Sequence, residues 1–213
     1  MTRTVKTPEV RRAEILAVAD DLFRTRGYAA TPVADIVRAA GVAKGTFYYY
    51  FRTKQEVLAA LAHQIVEAMA ERSRSVSEDA RLGPIEKLRA ILAEQRGLQD
   101  AHSNVVEDLH RPENRELHER SNVETVRVLG PILARVVEEG REAGLFDVED
   151  ALSTVQLVLS GQIFLFGDGV FDWTPGEAAA RLRAMVILAE RALGAARRSF
   201  DGLLEDALAY INR

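Results

Sequence analysis

Residues 31–54, TPVADIVRAAGVAKGTFYYYFRTK, hold the most informative pattern in the chain. The pair Thr31-Pro32 is typical of a helix start, and apolar residues follow at helical spacing until Gly41. A second short helix is predicted over 43–51. Two short helices joined by a tight glycine turn form a helix-turn-helix.

The predicted second helix separates an anchoring face from an outward face. Phe47, Tyr50 and Phe51 fall at i, i+3 and i+4, so they can anchor the helix to a core. Gly45 lies in the first turn, where a side chain would hold the backbone away from a partner. Lysine charge and tyrosine hydroxyls suit the phosphates of nucleic acid. The side chains predicted to point outward are Lys44, Thr46, Tyr48 and Tyr49.

A capping box follows the motif at Thr53-Lys54-Gln55-Glu56. In this motif the Thr53 hydroxyl and the Glu56 carboxylate are expected to accept each other's backbone N–H groups. The box predicts a long helix that begins directly after the helix-turn-helix.

Helix patterns continue to the end of the sequence, and alternating strand patterns and internal repeats are missing. Pro131 is expected to kink or divide its helix because it lacks a backbone donor. The fold class is therefore all-α, with an N-terminal helix-turn-helix domain of three helices over 1–54 and a C-terminal helical domain over 55–213. The predicted later helices span 84–99, 103–110, 113–142, 148–167, 176–195 and 199–211.

Charge is distributed unevenly along the chain. Residues 1–54 contain ten Lys or Arg and five acidic residues, whereas the other 159 residues contain 18 basic and 27 acidic ones. A basic head on an acidic body can hold one end of a protein against a polyanion. A basic segment can also be only a solvated surface, so charge alone does not separate the two interpretations.

Composition narrows the function classes further. The chain has four histidines and no cysteine. The absence of cysteine excludes disulfides, thiolate metal sites and cysteine nucleophiles, and it fits a cytoplasmic protein. No apolar run reaches the roughly 20 residues of a membrane span, so no membrane partner is expected. Neither a nucleophile elbow nor a phosphate-binding glycine loop is present, so we expect no enzyme and no cofactor.

The motif of residues 31–54 closely resembles the DNA-binding signature of the TetR/AcrR family of transcriptional regulators. The shared features are a Thr-initiated helix, Ala-Gly-Val, Lys-Gly-Thr, an aromatic run ending in Phe, and a Lys before the linking helix. By position, the resemblance implies phosphate contacts from Thr31, Tyr48, Tyr49 and Lys54. Lys44, Gly45 and Thr46 would face the major groove, with Lys44 or Thr46 reading base edges.

Two departures from the family pattern affect this assignment. Ala43 stands where many members have Ser or Thr, so a capping or phosphate hydrogen bond is expected to be absent. Tyr50 stands where many have His, which leaves open whether it reaches DNA or only packs.

The resemblance further implies a repressor that binds an inverted-repeat operator as a homodimer and is released by a small-molecule effector. The segment 152–166 is apolar on nearly every side, so it needs burial on both faces, as in a dimer interface or in the interior of a monomer. A helical small-molecule receptor that does not bind DNA is the alternative function.

The sequence carries little information about the effector site. Gln156 and Gln162 are polar within an apolar helix, so they could orient a ligand or form hydrogen bonds across a dimer. His110 and His118 could line a pocket or lie on the surface, and no metal site is predicted there. Gln156, Gln162 and His110 are the candidate ligand-binding residues.

Overall fold

A computed structural model describes residues 7–167 and 171–211 of the chain. These residues form ten α-helices and one 3₁₀ turn at Pro112–Asn114, and they contain no β-strand. In the described ranges, every helix is too short or too polar to cross a lipid bilayer. The helices are α1 (Pro8–Arg26), α2 (Val33–Ala39), α3 (Lys44–Tyr50), α4 (Lys54–Ser77), α5 (Pro84–Ala101), α6 (Ser103–Leu109), α7 (Arg115–Glu142), α8 (Ala151–Phe166), α9 (Pro175–Ala192) and α10 (Asp201–Ile211).

The helices divide into two compact units. The first comprises the chain up to Ile65 together with Ala101–Ser121, and the second comprises Val66–Asp100 and Asn122–Arg213. Helix α4 contributes residues to both units. The first unit is thus larger than the predicted N-terminal domain over 1–54, because α6 and the start of α4 also belong to it.

Helix α1 begins with a side-chain cap and a proline, and it buries one apolar face. The Thr7 hydroxyl accepts the Val10 N–H at 3.4 Å, and Pro8 occupies the first helical position. Ile15, Ala19 and Phe23 are fully buried along one face. This face supplies the core against which the next two helices are set.

The helix-turn-helix forms at α2 and α3. Gly41 adopts φ +62° in the turn, which is the left-handed backbone conformation that glycine accommodates best. The start of α2 differs from the prediction: Pro32 is the N-cap, Val33 is the first helical residue, and no side chain caps this end. Thr31 therefore lies one position before the cap.

The capping box at the start of α4 forms in a modified way. The Thr53 hydroxyl accepts the Glu56 N–H at 3.1 Å as expected. The Glu56 carboxylate accepts the N–H of Arg52 at 2.7 Å, whereas the motif predicted the N–H of Thr53. Both carboxylate and hydroxyl still satisfy backbone donors at this helix end.

Helix α7 runs without division from Arg115 to Glu142, although Pro131 lies inside it. The predicted division of the helix is wrong, whereas a kink at Pro131 stays a prediction. Packing of the neighbouring residues offsets the hydrogen bond that proline cannot donate. Pro131 itself is exposed, whereas Leu129 and Ile132 on either side of it are buried. Burial of this apolar face stabilises the helix across the missing donor.

Candidate nucleic-acid interface

Two buried aromatic rings anchor α3. Phe47 and Phe51 are 0% and 2% exposed, and their ring centroids lie 5.9 Å apart. Tyr50 is half-buried and packs edge-on against Tyr49 with centroids 4.9 Å apart. The predicted anchoring role is confirmed for Phe47 and Phe51, whereas Tyr50 is only partly covered.

The opposite side of α3 exposes the predicted contact residues together. Lys44 and Gly45 are exposed and Thr46 is half-buried, while Tyr48 and Tyr49 are 44% and 77% exposed. A Cβ atom added to Gly45 would meet no atom within 4 Å, so its backbone is open to a close partner. Ala43 at the N-cap forms no side-chain cap. The helix thus presents a lysine, an open glycine and two phenols on one surface.

Thr31 is placed differently from its prediction. Its side chain is fully buried, and its hydroxyl donates to the carbonyl oxygens of Gly27 at 2.8 Å and Leu22 at 3.4 Å. A hydroxyl used in this way closes the turn between α1 and α2. The phosphate contact expected of Thr31 stays a prediction.

Lys54 lies at the first position of α4 and is tied to the turn after α1. Its ammonium group donates to the Tyr28 carbonyl at 2.6 Å and lies 4.1 Å from the centroid of the Tyr28 ring. Burial lowers the pKa of Lys54, while the Asp108 carboxylate opposes that shift. A lysine ammonium has three donors, so Lys54 can hold Tyr28 and still offer N–H groups to a phosphate.

Asp108 is a residue of this unit that sequence reasoning missed. It is 3% exposed, and its carboxylate accepts the Tyr28 N–H at 3.3 Å and the Arg111 Nε–H at 2.7 Å. Burial, together with the charge of Asp108, raises the pKa of Tyr28. Helix α6 thereby holds the backbone that in turn holds Lys54. Local sequence patterns carry no signal for this contact because Tyr28 and Asp108 lie 80 residues apart.

Arg12, Arg26 and Arg38 are among the further arginines of this unit. Arg26 and Arg38 each form an ion pair with Asp35 at 3.2 Å, and Arg12 lies 5.0 Å from the Phe51 ring centroid. The single carboxylate of Asp35 leaves an excess of positive charge around it. The excess of basic over acidic residues in 1–54 indicated this positive charge, but it did not show which arginines lie close together.

The second unit contains an apolar cavity of about 150 Å³. Helices α5, α7, α8, α9 and α10 line it, and Gln162 is one of its lining residues. Gln156 packs instead against Gly130 of α7. The closeness of this contact is shown by a Cβ atom built on Gly130, which would lie 3.1 Å from the Cγ atom of Gln156. His110 belongs to the first unit, where its ring lies 4.5 Å from that of His118. Of the three predicted ligand-binding candidates, only Gln162 lines this cavity.

Fold and exposed surface together define a helix-turn-helix protein of the DNA-binding class. The family model described as bacterial regulatory proteins of the tetR family matches residues 15–61, and a tetracyclin repressor-like C-terminal domain matches residues 99–187. The chain belongs to the TetR family of transcriptional regulators.

Relatives and solved structures agree with this assignment. The probable HTH-type transcriptional regulator ArpR of Pseudomonas putida is 29% identical over 172 residues, which cover 76% of this chain and 82% of that protein. The HTH-type transcriptional regulator TtgR, also of Pseudomonas putida, is 28% identical over the same shares. A TetR/AcrR regulator from Thermobifida fusca has a TM-score of 0.56 and 25% identity, covering 84% of this chain and 97% of that one.

Proposed function

We propose that this chain is a repressor that binds an inverted-repeat operator as a homodimer and releases it when a small molecule binds the second unit. The observation that carries the proposal is the exposed side of α3, where Lys44, Gly45, Tyr48 and Tyr49 lie together on a helix held from behind by buried Phe47. Recognition helices of this class lie in the major groove of DNA.

Each of the predicted contact residues has a distinct role in the proposed complex. Tyr48, Tyr49 and Lys54 contact phosphates and set the position of the helix. Gly45 lets the backbone of α3 approach the groove, and Lys44 or Thr46 reads base edges. Lys44 lies 5.9 Å from the Tyr48 ring centroid, so the two side chains can act on neighbouring groups of one half-site.

The homodimer is proposed from apolar side chains that one chain leaves uncovered. Leu157 and Phe164 on α8 are 74% and 61% exposed, and Ile187 and Leu188 on α9 are 47% and 65% exposed. A two-fold interface covers such a patch with the same patch of a second copy. Two recognition helices can then read half-sites about one DNA turn apart, which a single α3 cannot do.

Release by a ligand is proposed from the cavity of the second unit and from the course of the chain. Helix α4 has residues in both units. A displacement of its C-terminal part in the second unit can therefore be transmitted along the helix to its N-terminal part in the first unit. A ligand shifts DNA affinity only by its differential affinity for the two states, typically 1–3 kcal/mol of coupling. In the ligand-bound state the two α3 helices of the dimer would no longer be spaced to reach both half-sites, and the operator would be released.

Capture of genomic DNA fragments on the purified full-length protein tests the proposal. After a salt wash, sequencing should reveal enrichment of one or a few inverted-repeat sites. The affinity for such a site should fall with salt at a log–log slope of about −0.9 for each phosphate neutralised. A folded dimer that enriches no sequence, and whose DNA binding lacks a steep salt dependence, contradicts the proposal and supports a receptor that does not bind DNA.

A further inference from the structure

The cavity of the second unit is almost entirely apolar. All but two of its lining side chains are hydrocarbon or thioether groups, among them Leu159, Met185 and Phe200, and the two exceptions are Arg96 and Gln162. Apolar cavities of about 150 Å³ stay dry and accept molecules the size of benzene. The volume therefore suits a ligand with one ring, or an alkyl group of similar size.

Of the described residues that line this cavity, Arg96 is the one that carries a charge. Among the residues that the structure describes, its guanidinium takes part in no ion pair or hydrogen bond. The carboxylate that feels the charge of Arg96 is Asp206, and Arg89 already holds both oxygens of Asp206 at 2.6 and 2.9 Å. The five donors of Arg96 are thus open to an incoming acceptor.

We infer that the effector is a small apolar carboxylic acid whose carboxylate pairs with Arg96 and whose hydrocarbon part fills the cavity. Guanidinium and carboxylate match in geometry and form two parallel hydrogen bonds, which a neutral group cannot reproduce at equal strength. Gln162 on α8 is the other polar residue among the described residues that line the cavity. The inference rests on the proposed function, since it names the chemical class of the ligand that the second unit would sense.

Calorimetric titration of the full-length protein without DNA tests the inference. The probes are phenylacetate, which has one ring and one carboxylate, and phenylacetamide, its neutral counterpart of nearly equal shape. We expect phenylacetate to bind about tenfold or more tightly than the amide, because only the acid gains a charge-assisted pair. Equal affinities, or no binding of phenylacetate at about 1 mM, would overturn the assignment of an acidic ligand.

Substitutions at Arg96 show whether the preference arises at that residue. Arg96→Met keeps the length and apolar stem but should reduce the acid-to-amide ratio to near one. Arg96→Lys should retain part of the ratio, because it keeps the charge but not the fork geometry. Arg127→Met, at an exposed site on α7, is the matched control and should leave the ratio unchanged. A full ratio in folded Arg96→Met would place the acid elsewhere and refute the inference.

The two proposals fail in different ways. Phenylacetate that binds through Arg96 but leaves operator affinity unchanged would support the ligand class and contradict release by the ligand. Operator binding without any preference for the acid would support the repressor and contradict the ligand class. Because the titration contains no DNA, its result does not depend on the operator.

Discussion

At the scale of single residues, Lys44 is the exposed charge of α3 that forms no ion pair within the described ranges. We expect Lys44→Ala to weaken operator binding and to reduce the log–log salt slope by up to about 0.9, because an ammonium group in the groove also neutralises charge of the nearby phosphates. Fluorescence anisotropy over a salt series measures both quantities. Arg127→Ala, an exposed charge of the second unit, is the control and should leave the slope as it is.

Tyr49 allows a separate prediction because it is the most exposed phenol of α3, at 77%. Its hydroxyl is proposed to donate to a phosphate while its ring packs over sugar. Tyr49→Phe should therefore weaken DNA binding severalfold, in line with the roughly 1 kcal/mol of one hydrogen bond, and leave dimerisation unchanged. Anisotropy and sedimentation measure the two properties, and wild-type affinity at moderate salt would remove Tyr49 from the contact set.

We expect Asp108 to be a positioning residue, since it is linked through Tyr28 to Lys54 of the proposed DNA-binding face. Asp108→Ala would leave the Tyr28 N–H buried without its acceptor, which costs about 1–3 kcal/mol of stability. Operator affinity should fall as well, because the Tyr28 carbonyl holds Lys54. Urea denaturation and anisotropy test the two effects. Glu107→Ala, an exposed neighbour on α6, should change neither.

At the scale of helices, two glycines of the second unit are a matched pair. A Cβ atom at Gly140 of α7 would clash with the buried ring of Phe146, whereas one at Gly97 of α5 would meet nothing within 4 Å. Gly140→Ala should therefore destabilise the fold by about 1–3 kcal/mol. Gly97→Ala should stabilise it by up to about 1 kcal/mol through helix propensity. Chemical denaturation distinguishes them, and similar midpoints would contradict the close approach of α7 to Phe146.

Helix α10 is attached by polar contacts on its outer side. Asp206 pairs with Arg89 of α5, and the Tyr210 hydroxyl donates to Asp100 at 2.6 Å. The Arg89 hydrogen bonds hold the pKa of Asp206 below its usual value of 3.8. A depressed pKa means that the pairing stabilises α10 above the ordinary Asp range and is lost as pH falls through the lower folded value.

This sign gives a prediction for Asp206→Asn. At neutral pH the variant should show faster amide exchange in α10 than wild type, because the charged pairing is gone. The difference should shrink as pH approaches the folded pKa of Asp206, where wild type loses the same pairing. Hydrogen exchange, corrected for its intrinsic pH dependence, measures this. A difference that persists unchanged at acid pH would contradict the role of the Asp206 charge.

At the scale of the whole molecule, the exposed apolar residues of α8 and α9 determine the proposed assembly. Leu157→Glu would place a charge within the proposed two-fold interface, where it would lose its hydration without gaining a partner. We expect a monomer by sedimentation and loss of operator binding. Val123→Glu is the matched control, because Val123 is 67% exposed on α7, outside the proposed interface, and should leave the dimer intact.

The sequence by itself determined the features that depend on residues close along the chain. The start of α1 at Pro8, the turn at Gly41 and the two faces of α3 follow from capping, backbone freedom and helical spacing. These are properties of a few neighbouring residues, so one sequence contains all the information they need. The all-α class followed from the same periodicity repeated along the chain.

The tertiary structure decided the features that depend on contacts between distant segments. Thr31 has the pattern of a helix start, yet the turn between α1 and α2 buries its hydroxyl. In the sequence Asp108 is one of several charged residues in its segment. Its contact with the Tyr28 N–H arises only in the folded chain, where α6 packs near Tyr28. Arg96 and Gln162 become neighbours of one cavity only when five helices assemble around it. Burial and juxtaposition are set by the whole fold, and local periodicity carries no information about either.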